Sequence, residues 1–259
     1  MIFKKKPSIQ IVPQRWEFYT YTFSEDQRAL IRFALDFVSD DRPEGYSHGR
    51  RVIIYSHPDR IQPNGLPTGE ENLELGKLED SLVAKLEKKN VPCLLAAVQT
   101  YHGLKDIIFQ VNDPDLFDSV AKAWVDAQSA DRFELVTYEG WEFLDAKIPP
   151  DAFGWNQIHN RRVIDGLQEA GSDLEAEHLL EHHFLGSDEA LAKLREALEP
   201  DGFEPMGEGE DSLTLRRPAM LDLEDISQMT WGLSRLAEDC GANYDGWGTM
   251  VIKEGKTLR

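Results

Sequence analysis

Apolar positions first recur at every second residue. Trp16 to Phe23 is dense in aromatic and β-branched side chains, which predicts a strand. Ile31, Phe33, Leu35 and Phe37 alternate with Arg32, Ala34 and Asp36. Ser24 and Gln27 have the spacing of a helix capping box, but the period of two predicts a second strand and a hairpin turning near Glu25-Asp26. Val52 to Tyr55 predicts a short strand, and Pro58, Pro63, Asn64-Gly65 and Pro67 a turn-rich segment. Leu75, Leu78, Leu82 and Leu86 then recur at helical spacing. Pro92 to Thr100 predicts a strand, Tyr101-His102-Gly103 a turn, and Ile107-Ile108-Phe109 the returning strand. Asp113-Pro114 opens a helix with Leu116, Val120, Trp124 and Ala127 on its apolar side. Phe133 to Tyr138 is a closing strand.

Ile148-Pro149-Pro150-Asp151-Ala152-Phe153-Gly154 predicts a linker. Beyond it the pattern restarts. Ile158, Val163, Leu167 and Ala170 line a helix stopped by Gly171, and Leu174 to Leu185 follows as a strand. Ser187 caps a helix carrying Leu191, Leu194 and Leu198. Gly202 to Glu208 and Leu213 to Arg217 predict short strands around an acidic turn. Asp222 opens a long helix with Ile226, Met229, Leu233, Leu236 and Cys240 on one side, stopped by Gly241, and Tyr244 to Ile252 is the last strand. Both halves therefore read β-α-β-β-α-β, the ferredoxin-like order. The expectation is an α+β protein of two α/β sandwich domains, each with a ferredoxin-like core and an antiparallel sheet, residues 1–150 and 151–259.

Charge changes the picture more than composition does. The net charge is −19 over 259 residues, and it is uneven. Residues 151–259 hold 23 acidic and 10 basic side chains, a net of −13, against −6 for residues 1–150. Nucleic-acid binding draws most of its affinity from Lys and Arg, so direct binding of nucleic acid is not expected. No stretch reaches the apolar length of a membrane span, no secretory signal opens the chain, and Cys93 and Cys240 cannot build a disulfide framework. A reduced, cytoplasmic setting is expected.

Few constellations carry chemistry. In strand geometry His178 and His182 share one face while Glu181 and His183 share the other. Two imidazoles fall short of the three or four ligands a zinc site needs, so neither metal nor cofactor is expected, and core or interface histidines hydrogen-bonded to their neighbours are expected instead. Glu79 and Asp80 are adjacent on a helix and do not face each other, which favours a solvated helix face, or a cap for a nearby loop, over a carboxylate dyad. No catalytic residue is assigned, since no phosphate loop, nucleophile elbow or zinc-protease motif is present. Tyr244-Asp245-Gly246-Trp247-Gly248-Thr249 is the most distinctive run. Two glycines in a strand predict a bulge or the close approach of another backbone, and Trp247 is either a core plug or an exposed anchor.

Glu181-His182-His183-Phe184, then Leu198 and Gly202-Phe203-Glu204, then Asp245-Gly246-Trp247-Gly248-Thr249 fall in an order that resembles the regulator of ribonuclease activity B (RraB) family. The resemblance covers about two fifths of the chain. It implies a small acidic α/β sandwich that binds the scaffold region of ribonuclease E and slows RNA decay, with no catalytic residues. Asn64-Gly65-Leu66-Pro67-Thr68-Gly69-Glu70-Glu71 followed by Leu78-Glu79-Asp80, with Trp16 and Trp141, resembles an uncharacterised bacterial domain of unknown function. The expected partner is a ribonuclease E-type enzyme or another basic protein segment, met through Trp247, Tyr244, Asp245, Glu208, Glu210 and Asp211. Two other readings stand beside it. One is a ligand-binding or hydrolytic site formed by the loop from His57 to Gly69 with Glu79. The other is an assembly module whose aromatics make a homo-oligomer contact.

Overall fold

The computed structural model describes residues 15–24, 27–38, 42–128 and 130–253. The chain is mixed α and β, with two antiparallel sheets, and divides into two compact units, Met1–Pro150 and Asp151–Arg259.

The first unit contains β1 (Trp16–Ser24), β2 (Gln27–Ala34), β3 (His48–Tyr55), α1 (Gly69–Lys88), β4 (Cys93–Tyr101), β5 (Leu104–Val111), α2 (Pro114–Val125), β6 (Phe133–Glu139) and α3 (Glu142–Lys147). Its six strands run in the order β1-β2-β4-β5-β3-β6. β4 and β5 are central and buried on both faces, which explains their nearly unbroken apolar runs. Leu75, Leu82 and Leu86 of α1 and Phe117, Val120 and Trp124 of α2 pack on Val52, Ile54, Val98 and Phe109 of the sheet. Emptying one such position, as in Leu82→Ala, costs about 2–5 kcal/mol. His102 (φ 45°) and Gly103 (φ 71°) are both left-handed and close β4 onto β5 in two residues.

The second unit contains α4 (Ala152–Glu169), β7 (His178–Leu185), α5 (Asp188–Leu198), β8 (Glu204–Gly209), β9 (Ser212–Ala219), α6 (Leu223–Cys240) and β10 (Asn243–Gly248). Its four strands run β10-β7-β9-β8. The strand that opens each β-α-β-β-α-β series, β3 or β7, lies between the fourth and the third, and every ladder is antiparallel. Asp151, Ser187 and Asp222 each cap a helix by accepting a backbone N–H of its first turn, and Gly241 (φ 82°) ends α6.

Several expectations need correction. β2 stops at Ala34, and Leu35–Phe37 forms a single 3-10 turn whose Leu35 N–H donates to the Arg15 carbonyl at 3.0 Å. The expected turn at Glu25-Asp26 lies outside the described residues. Ile148 is fully buried, its carbonyl accepts from the Tyr19 hydroxyl at 2.9 Å, and α4 begins at Ala152. The expected linker therefore shrinks to the few residues around Pro149-Pro150. Ala170 is exposed, whereas Ile158 and Leu167 are buried and Val163 is partly buried as expected, and the inward side of α4 also takes in Gln157, Asn160, Arg161 and Ile164. β7 begins at His178 because Asp173 folds the preceding residues into a turn, accepting from the backbone of Glu175 and Ala176. β10 ends at Gly248, and the next residues are pinned by side chains instead. Thr249 Oγ1 donates to Leu179 O at 2.9 Å, and Ile252 N donates to Ser172 Oγ at 3.0 Å. No described helix is long and apolar enough to cross a membrane.

Candidate functional site

Alternation along β7 sorts the run Glu181-His182-His183-Phe184 into two surfaces. His178, Leu180, His182 and Phe184 are buried beneath the helices, while Leu179, Glu181, His183 and Leu185 point to the opposite, uncovered face. His178 is satisfied locally, with Nδ1 at 2.9 Å from Ala176 O and Nε2 at 3.0 Å from Ser172 Oγ. His182 Nδ1 lies 2.9 Å from the Tyr244 hydroxyl, and its Nε2 has no hydrogen-bond partner among the described residues. Burial, and then the nearby His183 and Arg217, hold the His182 pKa down at about 4. Among the described residues, neither imidazole belongs to a group of three or more His, Cys, Asp or Glu side chains spaced to hold a cation. His183 Nδ1 sits 3.2 Å from Thr214 Oγ1.

β10 pairs with β7 so that Tyr244 lies opposite Phe184, Gly246 opposite His183, Trp247 opposite His182 and Gly248 opposite Glu181. The register shifts at Asp245, the bulge that the two glycines predict, and Gly246 takes φ 113°. The shift leaves Asp245 exposed and turns Tyr244 and Trp247 toward the helices. Trp247 is half-buried and donates its indole N–H to Asn160 Oδ1 at 2.8 Å. Asn160 Nδ2 donates onward to Thr230 Oγ1 at 2.9 Å and Ser227 Oγ at 3.2 Å. Asn156 completes the network, donating to Ser227 O and accepting from Thr230. A buried polar network joining α4, α6 and β10 escapes pattern reading because apolar periodicity is blind to it. The only sequence signal is Asn160 and Thr230 at inward helical positions. Glu210 and the left-handed Asp211 (φ 59°) are exposed at the turn from β8 to β9. Glu208 belongs to β8.

The first unit holds a denser charged cluster. Thr68 caps α1 by accepting from Glu71 N, and the loop before it is anchored by Gln62 Nε2 donating to Pro67 O at 2.7 Å. Gly65 takes a left-handed φ of 81°, a conformation L side chains rarely adopt, so this tight turn favours glycine. The loop sets Glu71, fully buried, against the His57 backbone N–H, Arg60 and Arg132. Arg132 also donates to Tyr55 O, Glu74 Oε1 and His57 Nε2, at 2.9, 2.9 and 2.7 Å. Its bond to Glu74, with the positive charge beside it, holds that carboxyl below the usual range. A cavity of about 540 Å³ opens on His57, Glu74, Gln128 and Arg132, with Leu78 and Phe133 as apolar wall. Ligand-type atoms of His57, Glu71 and Glu74 lie within 4.8 Å of one another, the spacing a cation could bridge. Arg60 and Arg132 already neutralise both carboxylates, so a divalent cation would meet two guanidiniums there.

Glu79 contradicts the solvated-face expectation. It is buried, bonded to Arg32 and to Lys105 Nζ at 2.8 Å, and Lys105 is itself buried. The helix face it occupies lies against β4 and β5 rather than water. Cys93 is buried, which pushes its thiol up to about 12, and Cys240 is partly buried.

Residues 157–249 match the family described as regulator of ribonuclease activity B, and residues 14–144 match a family of unknown function (DUF695). A regulator of ribonuclease activity B from Colwellia psychrerythraea is 34% identical over 101 residues, 35% of this chain and 87% of that protein. A regulator of the same name from Xenorhabdus nematophila is 35% identical over 99 residues, 34% of this chain and 70% of that protein. One from Alteromonas mediterranea is 32% identical over 103 residues, 35% of this chain and 76% of that protein.

Proposed function

This chain belongs to the regulator of ribonuclease activity B family through its second unit and to DUF695 through its first, and from that premise we propose that it is a non-enzymatic regulator of a ribonuclease. It acts by protein–protein binding in the cytoplasm. Its target is a ribonuclease E-type endoribonuclease, and the outcome is slower cleavage of RNA.

The observation that carries the reading is the match of residues 157–249 to proteins of that name over most of their length, in the unit that also bears the −13 charge. Such a surface attracts a basic protein segment and repels RNA, so control is exerted on the enzyme rather than on its substrate. Asp245, Glu208, Glu210 and Asp211 supply the long-range attraction, and Tyr244 and Trp247 supply and brace the contact strand. The test is a cleavage assay with purified ribonuclease E-type enzyme and a defined RNA. Adding the full chain should lower the cleavage rate in proportion to occupancy. An unchanged rate at saturating chain removes inhibition from the proposal.

The cavity beside His57 and Arg132 favours one further reading, a small-molecule site in the first unit. A metabolite screen by thermal shift tests it. Stabilisation that disappears in Gln128→Ala supports it, and no stabilising compound argues for a purely structural cluster.

A further inference from the structure

Among the described residues of the second unit, helices α4, α5 and α6 cover one face of its sheet and no helix covers the other. Across that uncovered face the ladders align Gly246, His183, Thr214 and Gly207 in one row and Gly248, Glu181, Arg216 and Glu204 in the next. Arg216 pairs with Glu204 at 3.1 Å, so the carboxylate of Glu181 is the central charge that this pair does not consume. Leu179 and Leu185, at the two ends of β7, are each 44% exposed on this face. Gly186 N donates to Asp211 O, which sets the acidic turn Glu210-Asp211 beside Leu185, and exposed Asp245 stands at the same end of the neighbouring strand. The surface therefore carries a leucine at each end of β7, the polar His183 and Thr214 and the charged Glu181, Arg216 and Glu204 between them, and an acidic rim at one end.

The glycines add to this. Gly248 and Gly207 have no left-handed φ, and a Cβ at either would meet nothing within 4 Å. Neither the turn geometry nor the packing of this chain requires glycine there. Glycine weakens a strand interior and commonly marks the approach of another backbone.

We infer that this uncovered sheet face is the docking surface for a positively charged, extended segment of the partner protein, laid over Glu181 and the flanking glycines. The inference rests on the ribonuclease-regulator reading for the partner's identity. The charge of the surface argues for the class of occupant, since Glu181 and Glu204 outnumber the single guanidinium of Arg216 on the face and Glu210, Asp211 and Asp245 make its rim acidic. A cationic side chain over Glu181 and apolar side chains over Leu179 and Leu185 fit an alternating basic and apolar sequence.

The test uses the full chain and two probes. The first is a synthetic peptide of alternating Arg and Leu, as long as β7, titrated by fluorescence anisotropy. The second is the purified non-catalytic region of a ribonuclease E-type enzyme. Glu181→Lys and Gly248→Val should weaken peptide binding about ten-fold or more, by like-charge contact and by occupying the gap. Glu196→Lys, the same charge change on the exposed side of α5, should leave it nearly unchanged. Gly248→Val adds a β-branched residue to a strand in open space, so it keeps the fold while blocking the surface. Unaltered peptide affinity in Glu181→Lys and Gly248→Val overturns the docking surface, as does an equal loss in Glu196→Lys or no peptide binding by the unmodified chain. A concentration-dependent dimer abolished by Gly248→Val would instead assign the face to a second copy. Peptide binding without binding to the ribonuclease region keeps the surface and removes the regulator reading.

Discussion

The indole N–H of Trp247 donates to Asn160 Oδ1 at 2.8 Å, tying the strand that carries the Gly-Trp-Gly run to the first helix of its own unit. The bond fixes the indole on the helix side of the sheet and leaves Gly246 and Gly248 on the other. Trp247→Phe should keep most of the packing and lose the donor, leaving Asn160 Oδ1 unmatched at a cost of about 1–3 kcal/mol. Trp247→Ala, at a half-buried site, should cost about 2–4 kcal/mol, less than a fully buried indole would. Urea unfolding of the two variants checks both values, and equal midpoints for Trp247→Phe and the unmodified chain would dissolve the link.

His182 gives the second unit an acid-labile core. Its folded pKa, about 4, lies below the ordinary value of 6.5. The unfolded chain therefore takes up the proton first as pH falls. The stabilisation is complete above about pH 6.5 and is lost progressively toward pH 4, at most about 3 kcal/mol. His182→Phe should flatten the slope of stability against pH in that window, measured by denaturation at successive pH values. A slope unchanged by the substitution would place the acid sensitivity elsewhere.

Glu79 and Lys105 form a buried pair that Arg32 closes from outside. Removing one partner strands the other charge away from water. Glu79→Ala should cost about 3–5 kcal/mol, whereas the double replacement Glu79→Leu with Lys105→Met should recover much of that loss. Thermal unfolding of the single and double variants decides between them, and a near-neutral Glu79→Ala would mean the carboxylate is hydrated.

The two units should fold separately. Residues 1–150 and 151–259 meet where the chain passes through Pro149-Pro150, and each has its own sheet and core. Expressed alone, residues 151–259 should unfold in one cooperative transition. A fragment without such a transition, under conditions where the full chain has one, would make the division purely geometric.

Element order was legible where periodicity and end signals agreed. Asp113-Pro114, Ser187, Asp222 and Gly241 mark helix ends that the backbone honours, because caps act through residues close in sequence. The alternation of Glu181-His182-His183-Phe184 likewise gave the two faces of β7. What stayed hidden depends on partners far apart in the chain. Glu79 reads as solvated until Arg32 and Lys105 arrive, and the Glu71 cluster needs Arg132, 61 residues away. The polar spine of Asn160 and Thr230 is silent to a scan for apolar stripes. Ile148 read as linker because proline follows it, although Tyr19 holds it from the opposite end of its unit.

The acidic second unit is proposed to recognise a ribonuclease rather than RNA. The most direct measurement titrates the full chain against the isolated non-catalytic region of the host's ribonuclease E-type enzyme, at low and at physiological salt, beside a matched titration with RNA. A specific complex with the protein is expected at both salts, formed more slowly as salt screens the charge over about 10 Å, and no complex with RNA. Absence of protein binding at both salts, or tighter binding to RNA than to the protein, would contradict it.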